Sequence, residues 1–222
     1  MVTVNNLSFS YGKHKVFENL SFHVDKGECL VLAGPNGSGK STALSVIAGA
    51  LKADKDSVSV DGKVGYIPQG TALLEDSTVK ENLIFFSKLA KGNVPEKLPF
   101  SVEKYLERKV SRLSGGMKKQ VSIACALIGD PNLILLDEPC AALDIAFRDE
   151  MISIIEDWKA SKKSVIYVGH DPAEFYSFYD KIIFIDEVPK SYTRNELEGQ
   201  GISTEAQFIS FYKDSLLNIR RN

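Results

Sequence analysis

The stretch GPNGSGKST, residues 34–42, decides the fold of this chain. It lies between the apolar run CLVLA at residues 29–33 and the helix-like stretch ALSVIA at residues 43–48. Its glycines allow backbone conformations and close approaches that a side chain would block, so successive N–H groups can point at an anion. A helix that starts at about Lys40 adds the positive end of its dipole. The sequence therefore predicts a phosphate-binding loop in an α/β domain.

The side chains of this loop match the spacing G-x-x-x-x-G-K-[ST], which has a defined chemistry. Lys40 would reach the β- and γ-phosphates of a nucleotide, the hydroxyl of Ser41 would ligate Mg²⁺, and Thr42 can support the loop. An accidental glycine-rich turn is the alternative, and the strand-loop-helix context argues against it. The candidate nucleotide-binding residues of the loop are Gly34, Pro35, Asn36, Gly37, Ser38, Gly39, Lys40, Ser41 and Thr42.

Composition limits the class of protein. A chain of 222 residues that is 44% hydrophobic can form one α/β domain with a small inserted subdomain. Lys and Arg number 27 against 29 for Asp and Glu, so no basic field favours nucleic acid or anionic lipid. Because no run approaches the ~20 apolar residues that cross a bilayer, and no signal pattern opens the chain, we expect it to be soluble. Cys29, Cys125 and Cys140 lack metal-ligand spacing, so we expect reduced, mostly buried thiols.

The order of predicted elements indicates a mostly parallel central sheet that follows a β-rich opening. β-Branched and alternating residues predict strands at 2–10, 15–24, 28–33, 58–60 and 64–67. Helical periodicity at 79–89 and, weakly, at 102–109 predicts a small helical insert. The next elements alternate as helix 115–128, strand 133–136, helix 146–160, strand 164–168, helix 172–178 and strand 181–185. After Asp186 the chain turns polar, and residues 204–220 predict a last amphipathic helix.

A second functional signal is the stretch NLILLDEP, residues 132–139. Its apolar run predicts a central strand that is buried on both faces, and its two carboxylates follow at the carboxyl end, where open α/β sheets bind ligands. Asp137 can join the Mg²⁺ shell, and Glu138 can polarise a water for in-line attack on the γ-phosphate. Two acids alone could simply open a loop, but the phosphate loop upstream favours the catalytic interpretation.

The stretch LSGGM, residues 113–117, separates this chain from kinases and small GTPases. Ser114 is placed to cap a following helix, and two glycines leave amide groups bare at its start, which makes a second anion-binding helix end. With the phosphate loop and the Asp-Glu strand in this order, the sequence resembles the ATP-binding subunit of ABC transporters over residues 1 to about 186. The signature residues of that family correspond here to Leu113, Ser114, Gly115, Gly116 and Met117.

The resemblance implies roles for three further side chains. Tyr11 would stack on adenine, Gln69 would contact Mg²⁺ and the attacking water, and His170 would reach the γ-phosphate. Without the resemblance, Tyr11 could end a strand, Gln69 could be an ordinary loop residue, and His170 could be a capping or core histidine. Together with Glu138, Gln69 and His170 are thus the candidate catalytic residues.

The family pattern also implies a metal site and a dimer seam. The candidate Mg²⁺ ligands are Ser41, Gln69 and Asp137, and the loop that would cross the seam contains Ala142, Leu143 and Asp144. Only one copy of each half-site is present, so the signature of one subunit would close over the ATP held by another. The expected working unit is therefore a head-to-tail dimer, either of two identical chains or of two paralogues.

In this family, closure and ATP hydrolysis are transmitted as a mechanical stroke. The receiver would be a separate transmembrane permease, so we expect the chain in the cytoplasm, attached to the inner face of the cell membrane. We expect no nucleic acid partner and no contact with the cargo. Candidate contacts with the permease, or alternatively core residues of the insert, are Leu73, Leu74, Leu83, Phe85 and Phe86.

The stretch TVKENL, residues 78–83, together with the signature, looks most like bacterial exporters. One alternative is a cytosolic ABC ATPase without a permease, in translation or DNA repair, and another is a regulatory subunit that holds ATP without hydrolysing it. Glu138 and His170 argue against the regulatory alternative. The final helix, with Arg220 and Arg221 near its end, could touch lipid headgroups or the permease, or pack on its own domain.

We expect a single domain over residues 1–222. Its nucleotide-binding core would comprise 1–70 and 130–200, its helical subdomain 71–129 and its last helix 201–222. Departures from the family pattern occur at Met117, Gln120, Cys125 and Cys140, the last followed by two alanines. We expect an active enzyme, whose turnover the missing arginines and hydroxyls can slow.

Overall fold

The computed structural model describes residues 1–54, 56–141 and 143–219. Its strands are β1 (Val2–Tyr11), β2 (His14–Val24), β3 (Cys29–Ala33), β4 (Val58–Val60), β5 (Val64–Ile67), β6 (Leu133–Asp137), β7 (Ser164–Val168), β8 (Lys181–Phe184) and β9 (Lys190–Thr193). Three of them form an antiparallel sheet in the order β2-β1-β4, which confirms the β-rich opening. Its strands β1 and β2 precede the phosphate loop in sequence, and β4 follows it.

The central sheet has six strands in the order β5-β6-β7-β3-β8-β9. All pairs up to β8 are parallel, and β9 pairs antiparallel with β8 at one edge. Every residue of β3, β6 and β7 is buried, as expected for strands covered on both faces. Because β3 and β6 are parallel and separated only by β7, the phosphate loop and the Asp-Glu pair leave the sheet at the same edge.

The helices are α1 (Lys40–Ile47), α2 (Val79–Ala90), α3 (Gly115–Ala126), α4 (Ile145–Ala160), α5 (Pro172–Phe175), α6 (Arg194–Gly199) and α7 (Glu205–Ile219). They complete two hydrophobic cores on opposite faces of the central sheet. Leu30 and Leu32 of β3 face α1 and the small sheet, whereas Val31 belongs to the core with α3, α4 and α7. The mostly parallel α/β architecture is therefore confirmed.

The helical insert differs from the expectation in its second half. The helix predicted at 102–109 is wrong, because the chain forms a 3₁₀ segment at Pro99–Tyr105 and another at Val110–Arg112. Phe100 and Ser101 adopt φ values of 57° and 50°, which no α-helix contains. The ring of Phe100 stacks on Phe147 of α4 with centroids 4.9 Å apart, and this contact favours the path that the backbone takes here.

The end of the chain also contains elements that the sequence did not reveal. β9 and α6 lie in the stretch after Asp186 that reads only as polar. The helix predicted at 172–178 ends at Phe175. The last helix agrees with the expected one, but Arg220 and Arg221, like Ala142 of the predicted seam loop, lie outside the described residues. Within the described part, no helix has both the length and the apolar character needed to cross a membrane.

Candidate active site

The phosphate loop joins β3 to α1 and approaches β2 closely at Gly39. Gly39 has a φ of 93°, in the left-handed region that favours glycine. A Cβ at this position would lie 2.6 Å from Cγ1 of Val16 and 2.7 Å from Cδ1 of Phe17. Only glycine meets both requirements, so Gly39 lets the loop pack directly against β2.

Lys40 follows directly as the first residue of α1 and is buried. Its ammonium donates to the carbonyl oxygens of Gly34 and Pro35, each at 2.9 Å, so the side chain folds back across the loop. Burial lowers the pKa of Lys40, and the carboxylates of Glu138 and Asp137 partly oppose that shift. A cation held in this way inside a loop of bare amides is suited to an anionic ligand.

Asp137, the last residue of β6, faces the start of α1. The hydroxyl of Ser41 donates to its Oδ1 at 3.0 Å, which joins two of the three predicted metal ligands. Burial raises the pKa of Asp137, while the hydrogen bond from Ser41 and the charges of Lys119 and Lys40 lower it. The pKa stays raised because the effect of burial, together with the nearby charge of Glu138, outweighs these opposing contacts.

Glu138 is hydrogen-bonded to the other two predicted catalytic side chains, His170 and Gln69. Nε2 of His170 donates to its Oε1 at 2.7 Å, and Nε2 of Gln69 donates to its Oε2 at 3.1 Å. The backbone of Glu138 has a φ of 49°, which is rare for a residue other than glycine, and its N–H donates to the carbonyl of Val168. Strained backbone of this kind is concentrated at functional sites.

A cleft of about 580 Å³, a volume typical of small-molecule sites, is lined by Lys40, Ser41 and the three predicted catalytic side chains, but not by Asp137. Tyr11, which is 54% exposed, forms part of its wall on the side of the small sheet. His14 and Val16 also line the cleft and were not predicted, although their place just beyond Tyr11 in the hairpin could have indicated them. The lining residues are Tyr11, His14, Val16, Asn36, Gly37, Gly39, Lys40, Ser41, Thr42, Gln69, Glu138 and His170.

The signature forms the start of α3, away from this cleft. Oγ of Ser114 accepts a hydrogen bond from the N–H of Met117 at 3.3 Å, which confirms the cap that its position predicted. A Cβ at Gly115 would meet no atom within 4 Å, so the first turn of the helix is open. None of residues 113–117 lines the cleft that contains Lys40.

The predicted seam loop packs against the signature of the same chain. A Cβ on Gly116 would lie 3.4 Å from Cδ2 of Leu143. Asp144 caps α4, because its Oδ1 accepts a hydrogen bond from the N–H of Phe147 at 2.8 Å. Leu143 and Gly116 of the signature are thus neighbours, and neither lines the cleft.

Three of the departures from the family pattern, at Gln120, Cys125 and Cys140, have defined surroundings in the structure. Gln120 accepts a hydrogen bond from the hydroxyl of Tyr105, which ties α3 to the 3₁₀ segment. Cys125 and Cys140 are buried thiols, as expected, and burial raises their pKa to about 12 and about 11. Neither thiol has the exposure or the lowered pKa of a reactive cysteine.

Lys119 of α3 is buried near the site, and the sequence did not predict its role. Its ammonium donates to the carbonyl oxygens of Pro68 at 2.8 Å and Gln69 at 3.2 Å. Burial lowers its pKa, and the surrounding acidic groups, Asp137 first among them, oppose that shift. A lysine among the apolar residues of a predicted helix was the available signal.

Comparison with known proteins finds the same family by a family model and by individual relatives. Residues 17–141 match the ABC transporter family. The chain is 32% identical over 207 residues to the linearmycin resistance ATP-binding protein LnrL of Bacillus subtilis. That alignment covers 84% of this chain and 67% of LnrL. It is 35% identical over 197 residues to the Nod factor export ATP-binding protein I of Burkholderia pseudomallei, covering 80% of this chain and 65% of that protein. The chain thus spans about two thirds of these relatives.

Solved structures share the fold over nearly the whole chain. An ATP-binding subunit of an ABC transporter superposes with a TM-score of 0.83 at 25% identity, covering 96% of this chain and 99% of that chain. A dimeric ATP-binding cassette in a post-hydrolysis state, bound to ADP and phosphate, superposes with a TM-score of 0.72 at 25% identity. That superposition covers 87% of this chain and 98% of the other.

Proposed function

This chain belongs to the ABC transporter family as an ATP-binding subunit with the ATPase fold, and we propose that it hydrolyses ATP to power transport through a separate membrane permease. The observation that carries the proposal is the convergence of Gln69 and His170 on the two carboxylate oxygens of Glu138. The phosphate loop borders the same cleft, so a phosphate bound there would meet all three side chains.

ATP would bind with its phosphates on the loop and its base beside Tyr11. The ammonium of Lys40, now bonded to two loop carbonyls, would bind the β- and γ-phosphates. The amides at the start of α1 and the dipole of that helix would add further stabilisation. The exposed ring of Tyr11 supplies a flat apolar surface for adenine.

The oxygen atoms of Ser41 at the start of α1, Gln69 after β5 and Asp137 at the end of β6 fit Mg²⁺. The hydroxyl of Ser41 already lies within hydrogen-bond distance of Asp137. Gln69 lines the same cleft as Ser41. Mg²⁺ is usually held by one or two carboxylates together with substrate phosphates, so a cluster of three acidic ligands is not required. When bound, Mg²⁺ neutralises phosphate charge, and Ser41, Asp137 and Gln69 would hold it.

Glu138 would act as the base for the attacking water. Its carboxylate would accept a proton as the water attacks the γ-phosphate in line. His170 and Gln69, which both donate to that carboxylate, would hold it in one orientation and turn toward the phosphate and water when these are present. This division of roles assigns proton transfer to one residue and positioning to two.

Two chains would be needed for a complete site. The signature and Leu143 lie outside the cleft, so they can act on ATP only if a second ATPase subunit presents them. The open first turn at Ser114 and Gly115 is suited to the γ-phosphate of that second subunit. The partner would be an identical chain or a paralogue, arranged head to tail as in a composite site.

The surface of α2 supports a permease partner. Phe85 and Leu89 are four residues apart on one helix face and are 45% and 69% exposed, and Ile84 beside them is 42% exposed. Leu74 is also exposed, whereas the candidate Leu83 is buried in the core. Exposed apolar residues on adjacent turns favour a protein partner over water.

Relatives named for linearmycin resistance and Nod factor export favour an exporter. The chain would then lie in the cytoplasm against the inner face of the membrane, held there by the permease. It would touch neither nucleic acid nor the transported molecule.

Light scattering with and without ATP tests the dimer mechanism. We expect a monomer or weak dimer without nucleotide and a shift to dimer with ATP, because ATP would join the two surfaces. The same tight dimer in both conditions would contradict the mechanism. Absence of ATP hydrolysis in the purified chain, with ATP bound, would instead favour a regulatory subunit.

A further inference from the structure

Lys119 connects the helix that carries the signature to the loop that carries Gln69. It lies on α3, five residues after Ser114, and is only 6% exposed. Its ammonium donates to two consecutive carbonyls, those of Pro68 and Gln69, at 2.8 and 3.2 Å. No ion pair among the described residues includes Lys119, whereas the adjacent Lys118 pairs with Glu75 at 2.7 Å.

A buried ammonium without an ion pair needs hydrogen bonds to remain inside the protein. Lys119 obtains its hydrogen bonds only while the loop at 68–69 stays against α3. Displacing the loop would leave a charged donor buried and unsatisfied, which is unfavourable. The contact therefore restrains the backbone of Gln69 relative to α3.

That restraint acts directly on the catalytic geometry. The side chain of Gln69 extends from the restrained backbone to Oε2 of Glu138 at 3.1 Å. Displacements of about 1 Å in a catalytic group can lower turnover by about 10²-fold. Ser114 caps the same helix that carries Lys119, and hydrogen bonds then run from Lys119 to the Gln69 carbonyl and from the Gln69 side chain to Glu138.

We propose that Lys119 is a positioning residue for ATP hydrolysis, which holds Gln69 against Glu138 and links that geometry to the signature helix. The proposal rests on the proposed function, because it requires that Glu138 act as the base. Lys119 would touch neither ATP nor water, so its removal should leave nucleotide binding intact. A second subunit that engages Ser114 would shift α3 and, through Lys119, the Gln69 loop.

The test is a double-mutant cycle of Lys119→Met and Gln69→Ala. We expect Lys119→Met to lower kcat about tenfold with KM for ATP changed less than about twofold, because only positioning is lost. Lys119→Arg, which keeps a donor, should restore most of kcat. In the Gln69→Ala background, Lys119→Met should cause no further loss, since coupled residues are not additive.

Lys163→Met is the matched control. Lys163 is also partly buried and donates to a backbone carbonyl, that of Pro131 at 3.0 Å, but it pairs with Asp130 as well, and its hydrogen bonds do not go to the loop that carries Gln69. We expect this variant to keep the kcat of the unaltered chain. A comparable loss in Lys163→Met would reduce the effect of Lys119 to general stability and overturn the proposal.

Two outcomes separate this inference from the proposed function. If Glu138→Gln hydrolyses ATP at the original rate, the proposed function is wrong. If Glu138→Gln is inactive while Lys119→Met keeps full kcat, or loses as much with Gln69→Ala as without it, only the positioning role is wrong. Should Lys119→Met not fold, Lys119→Gln replaces it in the same cycle, with the same two outcomes decisive.

Discussion

The carboxylate of Glu138 lies 2.7 Å from Nε2 of His170, although 32 positions separate the two residues in sequence. β6 and β7 are adjacent parallel strands, so the residues that follow them meet at one edge of the sheet. This pair, with Gln69 on the other carboxylate oxygen, forms the centre of the candidate active site.

Glu138→Gln should trap the ATP-bound state. The amide keeps the volume of the side chain but cannot accept the proton of the attacking water, so kcat should fall by about 10²-fold or more. ATP affinity should barely change, because Lys40, Ser41 and Asp137 remain. A phosphate-release assay measures the rate, and a sizing column should show an ATP-dependent dimer. An inactive variant that never dimerises with ATP would leave the ATPase in place and contradict the dimer mechanism.

Lys40→Ala should weaken ATP binding without unfolding the chain. Losing hydrogen bonds from a charged donor to the phosphates should lower affinity by about 10- to 100-fold. Titration calorimetry measures the affinity, and Lys15→Ala serves as control, because Lys15 forms an exposed ion pair with Glu18. Unchanged affinity in Lys40→Ala would remove the phosphate loop from the site.

Ser114→Arg should stop hydrolysis while the monomer still binds ATP. The arginine would occupy the space into which the γ-phosphate of a second subunit docks. Because the substitution also removes a helix cap, worth about 1 kcal/mol, the control is Thr193→Arg, which removes the cap of α6 outside the cleft. Normal turnover in Ser114→Arg, or an equal loss in Thr193→Arg, would argue against a composite site.

The double variant Phe85→Ser, Leu89→Ser should release the chain from membranes. Its exposed apolar face on α2 would be lost, while the ATPase rate of the purified chain should stay unchanged because neither residue lines the cleft. Fractionation of cells that produce the chain together with its permease measures the distribution. Val188→Ser with Leu217→Ser, which removes exposed apolar residues elsewhere, should remain with the membrane.

Acid should weaken the first turn of α2. The backbone N–H of Thr78 donates to the Glu81 carboxylate at 2.7 Å, and the hydroxyl of Thr78 donates to it at 3.0 Å. These two hydrogen bonds, the backbone one first, hold the pKa of Glu81 below its usual range. A lowered folded-state pKa stabilises the fold above the ordinary glutamate value of about 4.3, and the effect disappears as pH falls through the folded value.

Denaturant unfolding between pH 7 and pH 3 should therefore show a smaller acid-induced loss in Glu81→Gln than in the unaltered chain. Glu156→Gln, at an exposed position of α4, should retain the full loss. Identical pH dependence in Glu81→Gln and the unaltered chain would show that the hydrogen bonds between Thr78 and Glu81 add no pH-dependent stability.

The sequence by itself determined the fold class and the family, and it predicted a phosphate-binding loop at residues 34–42. The patterns that predict the loop and the strands are local, because each depends only on neighbouring residues. Examples are the spacing of the glycines, the lysine at a helix start, and the apolar run before Asp137 and Glu138. Most strands and the long helices follow from the same local periodicity. The capping role of Ser114 was likewise predictable from its place directly before a predicted helix.

Only the tertiary structure decided the contacts between distant segments. The 3₁₀ path at Pro99–Tyr105 depends on Phe100 stacking against α4, and β9 forms because β8 offers it a free edge. The tie between Lys119 and Gln69 joins positions 50 residues apart, so no local pattern contains it. Local propensities choose elements, but the packing of those elements determines which buried charge meets which carbonyl, and that choice is made only when the chain is folded.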